Sequence, residues 1–137
     1  MHDFITVGAP APLQDAGAVA LRLPDSYYAD LARHYQQRRD RLMKMLEDAG
    51  LNPMLPKGAY YVMCDIAKWG YPDDVEFARF LVKDIGVATV PGSSFFSDPA
   101  SGKDIIRFTF CKKEETLQAA EERLKKLRHT VPAPARR

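Results

Sequence analysis

The chain has 137 residues, enough for one domain with a real core, and its 46% hydrophobic and 28% charged residues are those of a globular protein. A net charge of +2 offers no electrostatic case for nucleic acid or an acidic membrane as partner. His2, His34 and His129 are scattered, no CxxC occurs, and no apolar run approaches the ~20 residues of a membrane span, which leaves no metal site and no membrane span to argue for.

Met1 to Leu23 starts unlike a conventional domain. His2–Val7 is a short extended run, Gly8-Ala9-Pro10-Ala11-Pro12 is a cluster of breakers, and a short helix from Leu13 to Leu21 follows with Pro12 in its first turn. Ala16, Gly17, Ala18 and Ala20 leave that helix little apolar mass, so the segment is expected to be disordered or to pack on another molecule, such as a second copy. Pro24-Asp25-Ser26 opens a long helix that runs to Ala49. Tyr28, Leu31, Ala32, Tyr35, Leu42, Met45, Leu46 and Ala49 form its apolar stripe. Arg33, Arg38, Arg41 and Lys44 read as a solvated face, and Gly50 is the C-cap, with Leu51 folding back.

Leu51–Lys57 is a connector with two prolines, and Gly58–Ile66 a strand buried on both faces. Gly58 marks a turn or a place where something passes close to the backbone. After a loop carrying Trp69, Asp73 and Glu76 have the spacing of a capping box. The helix they open buries Phe77, Ala78, Leu81, Val82 and Ile85 and ends at Gly86. A short strand Val87–Val90, a turn Pro91–Phe96 with two exposed aromatics, and a polar loop to Lys103 follow. Asp104–Phe110 is the next strand, and Lys113–Arg128 the last helix, with Leu117, Ala120, Leu124 and Leu127 inward. The tail 130–137 reads as disordered. Cys64 and Cys111 fall in strand-like runs and are expected to be buried free thiols in a reducing compartment. With no basic-then-apolar signal pattern in its first residues, the expected compartment is the cytoplasm. The order of elements defines an α/β chain, an α+β sandwich in which helices cover a small sheet.

One residue breaks the pattern. Alternation in Asp104–Phe110 sends Ile106, Phe108 and Phe110 to the core and Arg107 to the other face. A guanidinium offers a planar fork of donors that grips a carboxylate with two hydrogen bonds. The residues alone leave two further readings open: an edge-strand arginine in water, or one paired with a neighbouring acid.

Gly58-Ala59-Tyr60-Tyr61, Asp74–Ala78, Gly86–Phe96 and Ile106–Phe110, in that order, resemble the C-terminal part of a fold-type I, pyridoxal-phosphate-dependent aminotransferase of class I/II, the aspartate and kynurenine aminotransferase-like group. His2–Gln14 also resembles the segment that follows the cofactor-lysine region, so the resemblance spans about residues 2 to 128. It implies that Arg107 binds the α-carboxylate of an amino-acid substrate, with Gly58 and the Pro91–Phe96 loop lining the same cleft. It also implies three parts: 1–23 from the large domain or dimer interface of a parent enzyme, 24–129 the small domain after its connecting helix, and 130–137 the tail. The family's cofactor lysine and phosphate-binding groups have no counterpart here. Lys57, Lys68 and Lys103 lie in the wrong context, so pyridoxal 5'-phosphate is expected in the parent and not on this chain alone. The expected role is the substrate-carboxylate half of a transaminase, inactive alone and self-associating through its N-terminal segment. The alternatives are a free-standing module for small carboxylates or partner proteins, and a structural fragment.

Overall fold

A computed structural model describes residue 8 and residues 10–129. The extended run His2–Val7 and the tail 130–137 lie outside the described residues. Contacts divide the chain between His34 and Tyr35, inside the long helix.

In the first unit, helix α1 (Ala11–Ala20) has Pro12 in its first turn, where a missing N–H costs nothing. The backbone turns through Leu21–Leu23, and Tyr28 Oη donates to Ala20 O at 2.6 Å, tying the start of helix α2 (Asp25–Asp48) to the end of α1. Every described residue up to His34 is exposed, Leu13, Val19 and Leu21 included. Tyr28, Leu31 and Ala32 therefore do not join the buried stripe expected of α2; only Leu42, Met45, Leu46 and Ala49 do. Gly50, with φ +84°, closes α2, its N–H donating to Glu47 O while Leu51 N–H donates to Leu46 O. This paired cap needs a left-handed residue at that one place.

The second unit is a four-stranded sheet in the order β1-β2-β4-β3, every pair antiparallel: β1 Asn52–Met54, β2 Tyr61–Asp65, β3 Val90–Pro91 and β4 Ile105–Thr109. β1 lies in the stretch read as a connector, and Pro53 is tolerated there because the strand is at an edge. β2 is shorter than expected and buries one face only. Val62, Cys64 and Ile66 are sealed while Tyr61, Met63 and Asp65 are half-buried, which corrects the expectation of burial on both faces. The reason is the layer count: the inner faces of β2 and β4 share one core cluster with Leu42, Met45 and Leu46 of α2, Phe77 of helix α3 (Asp74–Phe80) and Leu124 of helix α4 (Glu114–Leu124).

Asp73 caps α3 as its spacing predicts, accepting from Glu76 N at 2.8 Å, but the Glu76 side chain turns to Arg79. After α3 the helix continues as a wider turn, Leu81–Ile85, with Gly86 N donating to Leu81 O. That widening puts Val82 in solvent, contrary to its expected place inside. Trp69 is buried against Phe77, with ring centroids 5.5 Å apart. Arg41 is not part of a solvated face: it reaches Glu121 at 2.7 Å and also pairs with Glu114, lacing α2 to α4. Cys64 is buried and Cys111 exposed, so the expectation of two buried thiols fails for Cys111, which lies past the end of β4.

Candidate functional site

Arg107 lies at the centre of β4, with Met63 of β2 opposite it on one side and Val90 of β3 on the other. β4 is thus an inner strand, and the reading of Arg107 as an edge-strand arginine is set aside. Ile106, Phe108 and Phe110 are buried, so alternation turns Arg107 to the open face, where it is half-buried.

Two rings hold the guanidinium. Its Cζ lies 5.1 Å from the centroid of Tyr61 and 4.5 Å from that of Phe95. Tyr61 is on β2, paired with Thr109, hence two residues along the same face from Arg107. Phe95 comes from the tight turn Gly92–Phe95 that follows β3. Each such contact contributes about 0.5–1 kcal/mol where water has access, and more where it is excluded. No acid pairs with Arg107 among the described residues, which sets aside the reading of a structural ion pair. The fork carries charge, lies between two rings, and is not neutralised by any acid among the described residues. That is the arrangement that binds an anion with two acceptor oxygens.

The turn bearing Phe95 is held close to its neighbours. A Cβ on Gly92 would stand 2.5 Å from Ile105 O, and one on Gly102 would stand 2.5 Å from Ser93 N. Two glycine backbones thus press the Gly92–Phe95 turn against the Pro99–Gly102 turn beside the first residue of β4. Gly58, three residues before Tyr61, is exposed, and a Cβ there would meet no atom of this chain within 4 Å. The structure brings Arg107, Tyr61 and Phe95 together and leaves Gly58 on the loop leading into β2. Phe95 belongs to the Pro91–Phe96 loop that the resemblance implies for the cleft, whereas Tyr61 is not anticipated there, because its meeting with Arg107 depends on strand register that no local pattern specifies.

The same face also decides what it can hold. Strand register places Asn52, Met54, Tyr61, Met63, Asp65, Val90, Ile105, Arg107 and Thr109 on it. The set includes no lysine to bind a carbonyl cofactor covalently. Its one cation is a guanidinium, a group that pairs with carboxylates.

The structure thus combines a small antiparallel sheet, helices on one face, and an arginine turned to the other. The family model described as "Aminotransferase class I and II" matches residues 1–124, and the chain belongs to that family. It is 35% identical to the kynurenine–oxoglutarate transaminase of Dictyostelium discoideum, over 93% of this chain and 34% of that protein. It is 39% identical to the methionine aminotransferase of Escherichia coli, over 93% and 33%. The solved N-succinyldiaminopimelate aminotransferase of Mycobacterium tuberculosis superposes with a TM-score of 0.81 at 35% identity, covering 91% of this chain and 33% of that one. The chain spans about a third of the length of the relatives it matches.

Proposed function

We propose that this chain is the substrate-carboxylate half of a transaminase, with Arg107 as the residue that grips the α-carboxylate of an amino acid or 2-oxo acid. The observation that carries the reading is the guanidinium itself: mid-sheet, held over the rings of Tyr61 and Phe95, and without an acidic partner among the described residues. A two-pronged grip fixes a substrate's orientation, which is where positioning contributes to rate. Gly58 is proposed for the rim of the same site, its small size leaving room on the loop before Tyr61. The electron-withdrawing chemistry of transamination belongs to pyridoxal phosphate, which the rest of a complete enzyme would hold. This chain's own part is to bind and orient the acid.

The chain is also proposed to dock through its first unit, on a second copy or on the remainder of a parent enzyme, because α1 has no buried residue. Both cysteines are free and no described helix is long and apolar enough to cross a membrane; the compartment we propose is the cytoplasm.

The test is a titration of the isotope-labelled chain with propionate, following the Arg107 Nε–Hε resonance. A charge-assisted pair contributes about 1.5–3 kcal/mol, so half-saturation is expected at about 10–100 mM. The perturbation should spread to the Tyr61 and Phe95 rings and vanish from them in Arg107→Gln. A titration that moves other arginines as much as Arg107 rejects the assignment.

A further inference from the structure

Asp74 is the one buried polar or charged side chain of the described core, 1% exposed, and capping does not explain it. The cap of α3 is Asp73, which already accepts from Glu76 N. Asp74 is the first residue inside the helix, where the free N–H groups of the first turn favour a negative charge. Its Oδ2 reaches 19 positions along the chain and accepts from Ser93 N at 2.6 Å. A buried carboxylate is costly unless its partners are well placed, and this partner lies inside the turn that carries Phe95.

The turn is thus held from two sides. On one, the Asp74 carboxylate fixes the backbone at Ser93; on the other, the backbones of Gly92 and Gly102 meet with no room for a methyl group. Tyr61 needs no such device, because its position is set by the β2–β4 ladder. Phe95 lies off the sheet, and its ring reaches the guanidinium only if the turn stays where it is.

We propose that Asp74 is a positioning residue for Arg107, acting through Ser93 N–H and the Phe95 ring to hold the guanidinium plane ready for a carboxylate. This inference rests on the reading of Arg107 as a carboxylate site, yet the coupling it describes is tested without ligand.

The experiment uses the full chain without ligand and reads two properties of the Arg107 side chain: the ring-current displacement of its Hε signal and its heteronuclear relaxation. Phe95→Leu should remove most of the displacement, which assigns it. Asp74→Ala should lose about half of it and raise side-chain mobility, while the amide signals of Val62 and Phe108 stay in place. Asp74→Asn keeps an acceptor oxygen at the same reach and should restore the wild-type signature. An Asp74→Ala chain that is folded and has an unmoved Arg107 signal overturns the proposal. If Asp74→Ala does not fold, Asp74→Leu, which fills the space without an acceptor, decides; loss of the fold in both also overturns it, because Asp74 is then simply a residue the core needs. Propionate added to the wild-type chain separates the two ideas: an Arg107 signal that ignores the acid defeats the carboxylate site but not the coupling to Asp74.

Discussion

Gly92→Ala tests the packing that underlies the site. The new Cβ would lie 2.5 Å from Ile105 O, 2.8 Å from Gly102 O and 2.8 Å from Ile105 Cβ. Two of the three obstacles are backbone oxygens, so no rotamer change relieves the clash; the turn must lift away from β4. Overpacking of this kind costs about 1–3 kcal/mol. In a domain of about 100 residues each kcal/mol lowers the melting temperature by roughly 4–8 °C, so a drop on the order of 10 °C is expected. Gly102→Ala attacks the same contact from the other side, its Cβ 2.5 Å from both Gly92 C and Ser93 N. The double variant should therefore lose less than the sum of the singles, since one displacement relieves both clashes. Gly58→Ala is the control: its Cβ meets nothing within 4 Å, and the change should stay within about 0.5 kcal/mol. Thermal melts followed by circular dichroism, with denaturant titrations for the free energies, decide it. If Gly92→Ala melts alongside Gly58→Ala, the close approach of the two turns is not a feature of the folded chain.

Burial pushes the Cys64 thiol up from 9.0 to about 12. The folded state then keeps a proton that the unfolded chain sheds, so this contribution is complete below about pH 9 and declines toward pH 12 by at most about 1.4 kcal/mol per pH unit. Wild type should lose more stability than Cys64→Val across that window in paired denaturant titrations, and parallel slopes would reject the burial argument. A thiol reagent should modify Cys111 in the native chain and Cys64 only after unfolding, as read by mass spectrometry. Arg41→Met should cost about 0.5–1 kcal/mol at low ionic strength, with the difference closing in high salt, because the pairs with Glu114 and Glu121 are partly exposed. Arg107→Gln should cost no more than about 1–2 kcal/mol by denaturant titration, since ring contacts and no ion pair are lost; a larger loss would make Arg107 a residue of the fold first.

The parts legible beforehand were those with local causes. Gly50 followed by Leu51 announces its own cap, Asp73 with Glu76 announces a helix start, and alternation in β4 fixes which way Arg107 turns. What escaped depends on partners distant in sequence. β1 contains a proline and looks like a connector until β2 lies beside it. Arg41 reads as one more solvated cation until α4 brings Glu121 within 2.7 Å. The stripe of α2 is continuous in sequence, yet only its C-terminal half is buried, because periodicity reports which side of a helix is apolar and not how far the covering surface extends. Tyr61 and Asp74 escaped for the same reason: the first meets Arg107 across the β2–β4 ladder, and the second meets Ser93 across 19 positions.

The two faces of the sheet obey different rules, and the difference bears on the proposed site. On the inner face every large side chain of β2 and β4 is sealed against helices, which satisfies the ordinary demand for burial. On the outer face Tyr61, Met63, Ile105 and Thr109 are half-buried around a guanidinium, on strands where apolar residues alone would fold more cheaply. An acid placed beside Arg107 would lower that cost, but it would also occupy the donor edge that a ligand needs. Rings hold the cation from their faces and, unlike an acid, do not take up its in-plane N–H groups. Stability alone selects the acid; binding of an external carboxylate selects the rings. The chain has the rings, and with them the charge that a substrate carboxylate is proposed to complete.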